Sequence, residues 1–295
     1  MAADRHRRAQ GKAPARPAAK QRARERIAAQ QAARKRAEAR RRILVTGGAI
    51  TAVLAAVAAL VAVKLTAGPA HQAGTEHAAP ASVVRQVTTV PAGTLASISG
   101  GQVATPLQKV RHPGPPLIVD GKPAIVFVSE ESCPFCAAER WSLAVALSHF
   151  GTWTGLGTTR SSATDVYPNT ATLSFRNAHY TSSKLTLRTT ELTDNTGRPL
   201  QSQSPLDTDV ISHYDVPPYV NSADQSGAVP FLDIANQYVI AGAQYNPQVL
   251  AGLTAAQIAA RLSNPSSPVA QAIDASAQVI INHISQVLHA AQNQA

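Results

Sequence analysis

Cys133 and Cys136 are the only cysteines in the chain, and they mark an abrupt change of pattern. An apolar, strand-like run from Ala124 to Val128 leads into Cys133-Pro134-Phe135-Cys136, where helical periodicity begins. A helix starting at the motif puts residues i and i+3 on one face, within reach of a disulfide. It also aims unpaired backbone N–H groups and the positive end of its dipole at Cys133, which favours the thiolate. Pro134 suits the first helical turn, where a missing N–H costs nothing. Strand, turn and helix in this order predict an α/β domain with a candidate redox site. Cys133 is then the attacking thiol, Cys136 the resolving one, and Phe135 shapes the surface that a partner meets.

Two plainer readings of a CxxC compete with this one. Half a zinc site needs two more ligands, and His149, His179, His213, His283 and His289 show no paired spacing, so no metal is expected. A purely structural disulfide suits an oxidising compartment, but a bond from i to i+3 closes so small a loop that it is a poor staple. Ser161, Ser162, Asp165 and the histidines form no Ser-His-Asp set, and no phosphate loop or paired-carboxylate motif appears. No bound cofactor is expected.

The charge distribution places the domain. Of 27 Lys and Arg, 15 lie in residues 1–42 beside only Asp4, Glu25 and Glu38, which leaves 12 basic against 14 acidic residues in the remainder. The basic character belongs to this tail. It has no interleaved aromatics and no recognisable module, so a nucleic-acid partner is not expected. Next come 21 uncharged residues, Ile43–Val63, long enough to cross a bilayer core of about 30 Å. Arg40, Arg41 and Arg42 abut this run, while only Lys64 closely follows it. By the positive-inside rule residues 1–42 are cytoplasmic, residues 43–64 form a single transmembrane helix, and the rest is extracytoplasmic. A cleaved export signal is the alternative, with Ala67 or Ala70 near a processing site.

Residues 65–116 are rich in Pro, Ala, Gly, Ser and Thr and read as a flexible linker, with one short strand expected near Ser82–Val90. The folded domain is expected over 117–295. Strands are predicted at Leu117–Val119 and Ala124–Val128 around a turn at Gly121. Further strands fall at Leu156–Thr159, Ala171–Arg176 and Lys184–Leu192. Residues 194–228 read as polar loop with one helical turn. A hairpin follows, Phe231–Ile234 and Tyr238–Gly242, led by Val229-Pro230. A capping box at Thr254 and a Ser267-Pro268 start predict C-terminal helices within 254–291.

This order of elements over residues 117–262 resembles the thioredoxin fold, with residues 155–228 as a β and loop insert. Ser132–Trp141, Phe150-Gly151, Tyr167–Thr170, and Pro230–Ile234 with Gly242 are more narrowly similar to the DUF929 family of membrane-tethered, thioredoxin-like proteins of unknown function. The resemblance implies a cis peptide bond at Val229-Pro230, set against the cysteines. It also suggests Glu139 as a buried proton acceptor for Cys136, whereas the residue itself reads as a solvated glutamate on the helix face. Glu130 and Glu131 precede the motif and, if close and ionised, raise the pKa of Cys133 against the helix dipole. Trp141 and Trp153 read as packing residues.

The expected function is a membrane-anchored thiol–disulfide oxidoreductase. Its partners are the thiols and disulfides of exported proteins, together with a redox partner whose identity the sequence leaves open. The alternative is a non-enzymatic extracytoplasmic binding module that keeps the fold around an inert disulfide.

Overall fold

The structure, a computed structural model, describes residues 76–98, 103–221 and 225–293. The predicted basic tail and membrane span lie outside the described residues, and among those described no helix is long and apolar enough to cross a membrane. The described part of the stretch read as linker is not free. Strand β1 (His77–Ala78) joins the domain's edge, and helices α1 (Ala81–Thr88) and α2 (Ala92–Ser97) follow. The strand expected near Ser82–Val90 is therefore a helix. Its valines favour β structure, but Val83 and Val87 are four apart and land on one helical face, both fully buried in the main core with Leu95. Tertiary burial outweighs local propensity here.

Strand β2 (Gln108–Lys109) and the pair β3 (Ile118–Val119) and β4 (Lys122–Ser129) come next. Asp120 and Gly121, both at positive φ, join β3 to β4, as two-residue hairpin loops require. Helix α3 (Pro134–Leu147) leaves the end of β4 through the cysteine motif. Strands β5 (Thr152–Thr154), β6 (Gly157–Arg160), β7 (Ala171–Ser174) and β8 (His179–Thr181) follow, the last three within the predicted insert 155–228. Strand β9 (Thr186–Glu191), also within that range, is not insert: it pairs with β4 in the main sheet. Strands β1, β6 and β7 form one small sheet, and β5 with β8 another.

Residues 205–214 form helix α4 (Pro205–Tyr214), where only one turn was expected. Ser204 and Asp207 cap it reciprocally, and Arg188 of β9 grips Asp207 at 2.6 Å. Strands β10 (Phe231–Ile234) and β11 (Tyr238–Ala241) make the predicted hairpin. The capping box at Thr254 opens α5 (Ala255–Ala259), and Ser267 with Pro268 opens α6 (Pro268–Gln292).

The result is a mixed α/β fold with several sheets. In the largest, β4 runs parallel to β9 on one side and antiparallel to β10 on the other, and β11 and β2 extend it. Alternate residues of β4 point to opposite faces. Ile125 and Phe127 meet the cluster that includes residues of α3 and α6, while Val126 and Val128 join Val210 of α4 on the other side. Helices cover both faces, which is why the strand reads as one apolar run. If α2 is an integral part of this core, Leu95→Ala lowers stability by about 2–5 kcal/mol in denaturant unfolding. A loss below about 1 kcal/mol would mean that the segment contributes little.

Candidate functional site

The motif sits at the C-terminal end of β4, where the chain turns into α3. Cys133 is the N-cap of α3 and Pro134 occupies its first turn. The Cys136 N–H donates to Cys133 Sγ at 3.2 Å, so one of the orphan donors of the helix start is spent on the sulfur. The Glu130 N–H donates to Cys136 Sγ at 3.4 Å. Both thiols are free, Cys133 half-buried and Cys136 fully buried.

The two sulfurs are electrostatically unlike. A hydrogen bond from the Cys136 thiol holds Cys133 below the ordinary cysteine range against the opposing effect of burial, and the Cys136 N–H, the Arg140 charge and the Phe135 N–H act in the same direction. Burial pushes Cys136 well up, and its hydrogen bond to Cys133 adds to this. The expected opposition from Glu130 and Glu131 takes another form. Glu131 is buried and accepts from Ser174 Oγ at 2.7 Å, and burial raises its own pKa. Glu130 accepts from Ser132 Oγ at 3.1 Å.

Pro230 follows a cis peptide bond, and Cys133 Sγ lies 3.7 Å from the Val229 carbonyl oxygen, a donor distance for its thiol. Cys133, Cys136, Pro134 and the Val229-Pro230 turn thus converge. Phe135 is 38% exposed and meets Tyr167 edge-on, with centroids 5.7 Å apart. The insert loop reaches the motif through the Ser162 N–H, which donates to Ser132 O at 2.8 Å.

Glu139 is neither solvated nor bonded to Cys136. It is buried, and the backbone and side-chain N–H groups of Gln244 donate to its two oxygens at 3.0 and 2.9 Å. Helix geometry puts it a turn beyond Cys136, but the loop after β11 captures it instead. Burial pushes its pKa up to about 7.

The spacing rules passed over Arg140, although it lies four residues after Cys136 and therefore on the same helical face. Its Nε and Nη2 donate to the Glu191 carboxylate, the first at 2.7 Å, and both side chains are buried. A charged pair at strand and helix positions leaves no periodicity signal, and the i, i+4 relation to Cys136 is the one sequence feature that could have found it. Among the described residues no cluster of His, Cys, Asp or Glu is arranged to hold a metal ion.

The model of a family described as Domain of unknown function (DUF929) matches residues 110–286. No curated protein and no solved structure matches the chain.

Buried acids give a pH test. Burial raises Glu139, Asp215 and Asp233 to about 7 and Asp274 to about 8. Each stays protonated in the folded chain over a range where the unfolded chain releases its proton. The stability they contribute is complete below the ordinary carboxylate range and is lost as pH rises through the folded values. The unfolding midpoint therefore falls between about pH 5 and pH 8, and Asp274→Asn flattens the upper part of that fall. A midpoint that climbs across the interval contradicts the assignment.

Proposed function

The chain belongs to the DUF929 family, whose description names no activity, and we propose from its site that it is a membrane-anchored, extracytoplasmic thiol–disulfide oxidoreductase with a thioredoxin-like domain. The observation that carries this reading is the asymmetric pair: a half-buried Cys133 with lowered pKa at a helix start, and a fully buried Cys136 one turn inside. The sheet order β9–β4–β10–β11, parallel in its first pair and antiparallel in the others, supports the thioredoxin-like reading. So does the cis bond before Pro230 beside Cys133. The uncharged run Ile43–Val63 behind an arginine flank supports the anchor and the extracytoplasmic placement.

In the reducing direction, the Cys133 thiolate attacks a substrate disulfide. The Cys133–substrate S–S bond forms, the substrate S–S bond breaks, and the departing thiolate takes a proton. Cys136, deprotonated, then attacks Cys133 sulfur and releases the second substrate thiolate, which takes a proton in turn. Two electrons and two protons pass from the protein dithiol to the substrate. Oxidation of an exported dithiol runs through the same mixed disulfide in reverse. Beside the sulfurs, Pro230 supplies no N–H, and a substrate peptide is proposed to pair along the turn at Val229.

A second reading, a binding module with an inert disulfide, draws on the exposed apolar Val166 of the insert, 67% exposed and next to Tyr167, which meets Phe135 of the motif. Trapping decides between the two. In the full-length chain Cys136→Ala is expected to accumulate mixed disulfides with exported proteins, and Cys133→Ala to accumulate none. A bond that stays closed in thiol buffers to below about −300 mV, with no trapped partner, favours the binding module.

A further inference from the structure

Cys136 is fully buried, yet it resolves a mixed disulfide only as a thiolate. A charge forming there is costly unless an opposite charge stands close by. Three elements bring ionisable groups to this region. The loop after β4 brings Glu130 and Glu131, β9 brings Glu191, and α3 with its N-cap brings Cys133, Arg140 and Glu139, the last held by Gln244. Only Arg140 is a cation.

The strand pairing explains why it is held there. Ser129 is the register partner of Glu191 across the parallel β4–β9 ladder, and its Oγ donates to Glu191 Oε2 at 2.8 Å. The fixed carboxylate takes Nε and Nη2 of Arg140, and Nη2 also reaches Ser129 Oγ at 3.4 Å. Nη1 remains buried with no hydrogen-bond partner. A guanidinium has five donors in a rigid fork, so engaging one edge leaves the other free while its orientation stays fixed.

We propose, resting on the exchange reading above, that Arg140 is a positioning residue for the resolving step: clamped by Glu191 through two nitrogens, it keeps positive charge one helical turn from Cys136 and stabilises the anion formed there. The attraction of Arg140 for both sulfurs favours their charged forms. Glu191 anchors this charge and partly offsets it. The two residues therefore act on Cys136 with opposite sign.

The test uses the reduced full-length chain and one equivalent of 5,5′-dithiobis(2-nitrobenzoate). Cys133 thiolate takes one thionitrobenzoate and releases the other. Cys136 thiolate then forms the Cys133–Cys136 bond and releases the second. Two electrons pass to the reagent and two protons to solvent. The pH dependence of the second release reports Cys136. Breaking a buried pair on one side alone is strongly destabilising, whereas replacing both partners by apolar residues is tolerated far better. The double variant Arg140→Met/Glu191→Met is therefore compared with Glu191→Gln, which keeps an acceptor for Arg140 and removes the negative charge.

The double variant should move the second-release inflection up by about one pH unit or more. Its rate at neutral pH should fall about threefold for each pH unit of that movement, because the scarcer thiolate is also the more nucleophilic. Glu191→Gln should move the inflection down. An unchanged inflection in a folded double variant, or an upward movement in Glu191→Gln, overturns the role of Arg140 while leaving thiol exchange intact. A parent chain that never releases the second equivalent overturns the exchange reading, and this inference with it.

Discussion

The parallel pairing of β4 with β9, closed over by α3, is the constraint on which the site depends. It puts Ser129 opposite Glu191 at the end of the sheet where the chain turns into the cysteine motif. A buried carboxylate in that position needs a cation, and Arg140 on α3 supplies it. Helix, central strand and crossover strand are thereby tied together just behind the sulfurs. Removing one partner from such a buried pair typically costs about 3–5 kcal/mol, while the intact pair by itself adds little net stability. Its value lies in fixing where the charge sits.

The motif then divides two roles between chemically identical side chains. The helix start spends one of its free N–H groups on Cys133, and the Cys136 thiol adds a second donor. Cys136 lies one turn further in, where burial works against its ionisation. On the proposed reading this asymmetry sets the order of events: the outer sulfur meets the substrate, and the inner one attacks the mixed disulfide that results. The Val229 carbonyl lies beside the outer sulfur, and the insert loop reaches the residue before it, Ser132, and the Phe135 ring. A partner would therefore meet both the proline-led turn and Phe135 with Tyr167.

Much of this was legible in the residues. An unbroken apolar run exposed β4, buried on both faces, and turn residues bounding two short apolar runs exposed the β10–β11 hairpin, while one-sided burial stamped its regular spacing on the stripe of α6. Cap chemistry located α5 and α6. Four features escaped for physical reasons. Helix α1 is built from valines whose β preference is overruled by burial of Val83 and Val87. Helix α4 opens with Ser204 and an aspartate, Asp207, where the usual box has Glu or Gln. Glu139 is held by Gln244, a partner more than a hundred residues away that no local pattern announces. Arg140 belongs with Glu139, since long-range polar pairs leave no trace in periodicity.

Alkylation of the reduced full-length chain by iodoacetamide, mapped to each cysteine by mass spectrometry across pH, separates the two sulfurs most directly. Cys133 should react alone, with an inflection below the ordinary cysteine value of about 8.5, and Cys136 should stay unmodified until the fold is lost. Equal labelling of both cysteines in the folded chain, or a Cys133 inflection at or above that ordinary value, would contradict an activated outer thiol backed by a buried resolving one.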